Sequence, residues 1–250
     1  MSNHSSKKIR STGELIEFLA DASISPEVAA LRPDYRALLI AVDGITPAPS
    51  DAHSEQLLRN AEDVARTRLG KCAVTDFPHI AAWREAYQGF GAKPSRTRNS
   101  TEALIRRAEK GLPRINRLTD IYNSLSVTYE IPFGGEDLNA YVSAPQLVRA
   151  TGAENFATMD KGEPVTEHPE PGEVVWLDAN GVTCRRWNWR QCTRTALHDD
   201  TTAALFILDA LEPVDDVELR AVGENLIDEL REYSSELVVA MRILRAEDDA

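Results

Sequence analysis

Between Cys184 and Thr195 the chain reads CRRWNWRQCTRT, in which Trp187 and Trp189 alternate with Asn188 and Arg190. On a strand both indoles point to one face, while Arg186, Asn188 and Arg190 line the other. Indole and guanidinium groups together can stack a nucleobase or hold a carboxyl or phosphate group, and Gln191 adds an amide beside them. The same alternation describes a core strand whose two tryptophans fill the interior, and composition alone favours that reading. A second stretch, Asp120 to Asp137 (DIYNSLSVTYEIPFGGED), sets Asn123 and Ser124 on an amphipathic element ahead of a Gly134-Gly135 pair flanked by Glu136 and Asp137. Paired glycines let backbone N–H groups approach a ligand closely, and neighbouring acids can position a water or an amine, although most such pairs are simply turns. The third stretch sets Lys93, Arg96, Arg98, Arg106, Arg107, Lys110, Arg114 and Arg117 against only Glu102 and Glu109. That is a local charge of +6 inside a chain of formal charge −12. Such segregation attracts a polyanion locally despite the overall repulsion. A solvated helix face with Glu102 and Arg106 paired at i, i+4 accounts for it as well.

Other chemistries lack their residues. The five histidines (His4, His53, His79, His168, His198) form no HxxxH or HxH pair, so no metal is expected. No GxGxxG, GxxxxGK[ST] or GxSxG occurs, which removes the usual dinucleotide, P-loop and α/β-hydrolase signals, and no cofactor is expected. Cys72, Cys184 and Cys192 show no CxxC spacing and suit a reducing cytoplasm; Cys72 and Cys184 read as small buried hydrophobes rather than nucleophiles. No apolar run approaches the ~20 residues that span a bilayer, and Met1 to Arg10 lacks the apolar continuation of a signal peptide. The expectation is a cytoplasmic protein with no membrane partner. With 42% hydrophobic and 27% charged residues, the 250-residue chain has the composition of a globular protein.

These segments need elements to hold them. Ser11-Thr12-Gly13-Glu14 reads as a capping box opening a helix that carries Leu15, Ile16, Phe18 and Leu19. Tyr35 to Val42 is an apolar run that predicts a buried strand ending at Asp43-Gly44. Helices are predicted over Ser54–Leu69 with Gly70 as the C′ stop, over His79–Tyr87, and over Ser100–Lys110. Leu118, Ile121, Tyr122 and Leu125 fall at helical spacing across Leu118–Val127. Pro132 to Asp137 is expected as a turn or exposed loop. Short strands follow at Tyr141-Val142, Leu147-Val148, Pro164-Val165, Val174–Leu177 and Val182–Trp187, with a hairpin turn at Asp178–Gly181. Thr201–Leu211 fits a strand or a helix, and Val217–Leu244 reads as two helices broken near Tyr233. The sum is an α+β fold: a mixed or antiparallel sheet packed by helices, with extra helices at both termini. Residues 1–10 are expected as a disordered tail. Residues 11–250 are expected as one domain, with a core at about 35–210 and C-terminal helices at about 215–245.

With these segments in place, the chain resembles the B3/B4 domain of the phenylalanyl-tRNA synthetase beta subunit, in its free-standing form. The resemblance rests on Trp83-Arg84, Ser100, Glu102-Ala-Leu104, Arg106-Arg107, Asp120, Tyr122-Asn123, Pro132, Gly134 and Asp137. Cys184-Arg185, Trp187-Asn-Trp-Arg190 and Thr195 follow in the same order. In the synthetase this domain hydrolyses the ester of tyrosine wrongly attached to its tRNA, using an Asn that matches Asn123 and a His whose place Gly134 takes here. The departure at Gly134 means that tyrosine specificity does not carry over. The 250 residues leave no room for a synthetase catalytic core, so ligase activity is not expected of this chain by itself. What the resemblance implies is hydrolysis of a misacylated tRNA in trans, or a module that binds aminoacyl-tRNA or an amino acid without turnover. Asn123, Ser124, Gly134 and Gly135 would then orient the water and the oxyanion. Glu136 and Asp137 would hold the ammonium, and Arg186, Trp187, Trp189, Arg190 and Gln191 the terminal adenosine. Lys93, Arg96, Arg98, Arg106 and Arg107 would meet tRNA phosphates, with no DNA partner expected.

Overall fold

The computed structural model describes residues 8–245. In chain order these form α1 (Thr12–Ala20), β1 (Ser23–Ile24), α2 (Pro26–Leu31), β2 (Arg36–Asp43), α3 (Ala52–Leu69), α4 (Pro78–Gly89) and α5 (Ser100–Arg107). They continue with α6 (Arg117–Tyr129), β3 (Phe133–Asp137), β4 (Gln146–Arg149), β5 (Phe156–Asp160), β6 (Glu163–Glu167) and β7 (Val174–Asp178). The last are β8 (Gly181–Arg185), β9 (Arg190–Gln191), β10 (Ala203–Ala210), α7 (Asp216–Arg231) and β11 (Val238–Arg245). The fold is α+β, as the sequence predicts.

Two sheets organise it. An antiparallel sheet runs in the order β11-β2-β10-β3, and a second, mixed sheet runs β1-β4-β7-β8-β9; β5 and β6 form a separate hairpin. In β2, Leu38, Ile40 and Val42 pack with Ala204, Phe206 and Leu208 of β10 against α6 and α7. Leu39 and Ala41 pack with Leu205 and Ile207 on the opposite face, against α1, α4 and the second sheet. Burial on both faces is why Tyr35–Val42 shows no polar alternation. Each large side chain buried in this way contributes about 1.5–3 kcal/mol. Helix α7 lies so close to β2 that a Cβ on Gly223 would stand 2.5 Å from Leu38 Cδ2.

The helix ends follow their sequence signals. Ser11 and Glu14 form the reciprocal capping box of α1, Asp51 and Ser54 form another at α3, and Asn99 and Asn116 cap α5 and α6. Gly70 closes α3 in right-handed geometry (φ −68°), not as a left-handed C′ residue. The hairpin at Asp178–Gly181 forms, with positive φ carried by Gly181 alone of these four residues.

Several elements differ from expectation. Pro132–Asp137 is not an exposed loop: β3 is a paired strand, mostly buried against β10. Gly135 permits this because a Cβ there would meet Leu197 and Phe206 at 2.8–2.9 Å. Tyr141-Val142 form no strand, since the chain leaves a short 3-10 turn there with Val142 exposed. Thr201–Leu211 resolves as strand β10. Of the two C-terminal helices expected, the first is α7, but 238–245 is the edge strand β11 on β2, where β-branched Val238, Val239 and Ile243 fit the pleat. Residues 1–7 of the expected tail lie outside the described residues, whereas Arg10 is held by Asp43 at 2.8 Å.

Candidate functional site

The expected ribbon of two indoles is in fact a tight turn. Arg186 and Trp187 both adopt left-handed backbone (φ 48° and 67°), so the chain reverses between β8 and β9 and the strand alternation stops. Trp187 is wholly buried in an aromatic cluster with Tyr35 at 4.9 Å and Trp83 at 5.3 Å between ring centroids. Trp189 stays half-buried, with the guanidinium groups of Arg186 and Arg190 stacked on it at 4.6 and 4.9 Å.

This turn forms one wall of a cavity of about 270 Å3. Helices α5 and α6 supply Ser100, Leu104, Arg107, Tyr122 and Asn123. Strand β3 supplies Phe133, Gly134 and Glu136; Ile207 and Asp209 come from β10, and Trp176 and Cys184 from the second sheet. Strand register explains the selection. Gly134 lies opposite Ile207, so Gly134, Glu136, Ile207 and Asp209 share one face, and Gly135 and Asp137 point to the other. The side-chain amide of Asn123 has no hydrogen-bond partner among the described residues, which leaves its donor and acceptor free toward the cavity.

Two buried carboxyls meet here. Asp209 accepts hydrogen bonds from Tyr35 Oη (2.5 Å) and Asn188 Nδ2 (3.2 Å). Its burial, with the charge of Glu136 nearby, pushes its pKa up to about 7 despite those donors. Glu136 accepts from Tyr141 Oη at 2.6 Å and Thr195 Oγ1 at 2.9 Å, and burial raises its pKa as well. Burial also pushes the Cys184 thiol well above its usual range, the opposite of what a nucleophile requires.

Of the residues singled out from sequence, Asn123, Gly134, Glu136, Trp187, Trp189, Arg190, Gln191 and Arg107 line this cavity. Ser124 does not: its hydroxyl donates back to the Ile121 carbonyl at 2.7 Å. Gly135 is occupied by packing, and its carbonyl accepts from Gln191 Nε2 at 3.0 Å. Asp137 caps the following turn through the Asn139 amide at 2.8 Å. Arg186 turns away toward Thr97 and Glu173. The cationic segment is divided. Arg98 and Arg106, with Arg84, surround the buried carboxylate of Glu102 at 3.8, 2.9 and 2.9 Å. Arg114 pairs with Glu55 and Glu62, and Arg117 with Asp51. Lys93 and Arg96 border a different depression.

At position 134 a Cβ would stand 3.0 Å from Gln191 Nε2, so the glycine makes room for that amide. Sequence reasoning missed Asp209 and Tyr35, and saw Asn188 only as part of a polar strand face. One signal was present: Asp209 is a lone acid inside the apolar run Ala203–Leu211.

An α+β chain with a mainly apolar cavity between two sheets, into which a few amides and buried carboxyls converge, is the class that fold and site define. The family profile described as the B3/4 domain matches residues 82–228, a span holding every residue of the cavity lining, and the chain belongs to that family. Among solved structures it is similar to an N-terminal fragment of the phenylalanyl-tRNA synthetase beta subunit from Pyrococcus horikoshii. That similarity has 10% identity and a TM-score of 0.46, and covers 89% of this chain and 53% of the other. This chain thus matches about half the length of that fragment. Comparison with curated proteins finds no match.

Proposed function

We propose that the cavity receives the aminoacylated 3′ end of a tRNA and hydrolyses its ester in trans. The observation that carries this reading is the convergence, in one cavity, of the free Asn123 amide, two buried carboxyls and the Arg107 and Arg190 cations. An aminoacyl ester is already activated, so the site need only orient a water and stabilise the oxyanion. Asn123 is suited to the carbonyl or the water. Asp209, with a pKa of about 7, is suited to take a proton from that water at neutral pH. Water adds to the carbonyl carbon, the ester C–O bond breaks, and the ribose oxygen leaves with a proton. Glu136 offers a carboxyl to the substrate ammonium, while Arg190 and Trp189 offer a charged and stacked surface to the adenosine. The family membership supports a tRNA-related role, as do Lys93, Arg96 and Arg107 of the cationic segment, which form no ion pair among the described residues. The pairing of β2 with both β10 and β11 supports reading the described chain from residue 11 on as one domain.

The absence of a polar side chain at Gly134 favours a second reading, in which the cavity binds an aminoacyl-tRNA end without turnover. A panel of mischarged tRNAs separates the two. The expected result is release of free amino acid from at least one, falling about 10²–10⁴-fold in Asp209→Asn and Asn123→Ala. Tight binding with no release establishes the second reading, and release unchanged in both variants removes these residues from the mechanism.

A further inference from the structure

The turn between β8 and β9 has two sides. Trp187 to Gln191 face the cavity described above, whereas Arg186 faces a second depression of about 260 Å3 behind it. This depression is lined by Phe90, Lys93, Arg96 and Thr97 on one side and by Glu170 and Glu173 on the other. Glu173 is consumed by a two-pronged pairing with Arg185 at 2.9 Å through both oxygens, which leaves Glu170 as the remaining acid. Lys93 and Arg96 are exposed and have no ion-pair partner among the described residues. Arg186 is fixed by Thr97, by Glu173 at 3.4 Å and by its stack on Trp189, so it is not a free cation here. Gly91 has nothing within 4 Å of its Cβ direction, and the half-buried Phe90 ring offers an apolar surface.

Cations beside an open aromatic surface suit a nucleotide, with its phosphate on the cations and its base on the ring. We infer that this depression holds an upstream nucleotide of the polynucleotide whose 3′ end occupies the first cavity. The inference rests on the reading that a polynucleotide end enters that cavity, and the shared wall makes the two sites adjacent.

Calorimetric titration of the whole protein with a trinucleotide ending in adenosine, and with adenosine alone, tests it across a salt series. Wild type should bind the trinucleotide at least tenfold more tightly than adenosine. Its log affinity should fall with log salt by about 0.7 per phosphate contact. Lys93→Ala/Arg96→Ala should lose that advantage and flatten the slope, and Phe90→Leu should weaken the trinucleotide alone. Thermal melting by circular dichroism checks that each variant is folded. Equal wild-type affinity for the two ligands overturns the inference, as does an unchanged trinucleotide affinity in the double variant. Neither readout requires ester cleavage. Trinucleotide binding that depends on these residues in a protein with no deacylase activity upholds this site and refutes the deacylase. A working deacylase whose trinucleotide affinity ignores them refutes this site alone.

Discussion

The two faces of β10 are built from opposite materials. Toward α6 and α7 it presents Ala204, Phe206 and Leu208, and the Phe206 ring packs edge-on to Phe133 at 6.0 Å. Toward the second sheet it presents Leu205 and Ile207 and then Asp209, beside Glu136 of β3. Among the described residues neither carboxyl has a salt-bridging cation, so both rely on neutral donors. Burying an acid in this way opposes folding. The strand's period of two lets one element hold the fold together with one face and carry an unfavourable buried acid on the other.

Cutting the apolar face should have the largest effect. Phe206→Ala is expected to cost about 3–5 kcal/mol in urea unfolding, whereas Asp209→Asn on the opposite face should leave the protein at least as stable at neutral pH. An equal loss from both would erase the contrast between the faces. The second effect is a pH dependence. Asp209 holds its proton more tightly folded than unfolded, so its contribution to stability is present below about pH 4 and is lost as pH rises through about 7. The stability of Asp209→Asn relative to wild type should therefore climb by about 2–4 kcal/mol between pH 4 and pH 8. A flat difference would show that Asp209 is not buried as a proton-binding acid.

A smaller effect sharpens the apolar side. Alanine normally improves a helix interior over glycine, but Gly223→Ala should destabilise by about 1–3 kcal/mol, because its Cβ collides with Leu38. Stabilisation instead would mean that α7 can lift from β2. The smallest change belongs to the cavity face. Gly134→Ala crowds only the movable Gln191 amide, so less than about 1.5 kcal/mol should be lost, the scale of one hydrogen bond.

Where local chemistry decides the structure, the sequence was legible. The Ser11–Glu14 box, the apolar run of β2 and the helical spacing of Leu118 to Leu125 each specify an element by themselves. Residues 238–245 were not legible, because a short apolar run fits either period until β2 offers it an edge. Nor was Phe133–Asp137, since two glycines carry no strand preference and only distant neighbours explain them: the Gln191 amide at Gly134, and Leu197 with the Phe206 ring at Gly135. Asn123, Glu136 and Arg190 could be found as candidates because their neighbours are unusual in type. Their assembly with Asp209, Asn188 and Tyr35 depends on pairing between distant strands and on left-handed backbone at Arg186 and Trp187, which alternation cannot reveal.

The β5–β6 hairpin places one acid, Glu167, against both Arg185 and Arg190, at 2.8 and 2.5 Å. Any anion drawn to Arg190 thus arrives at a seat already taken. A lone inorganic anion would have to displace that carboxylate with nothing to offset the loss, so the hairpin leaves Arg190 a poor seat for casual counter-ions.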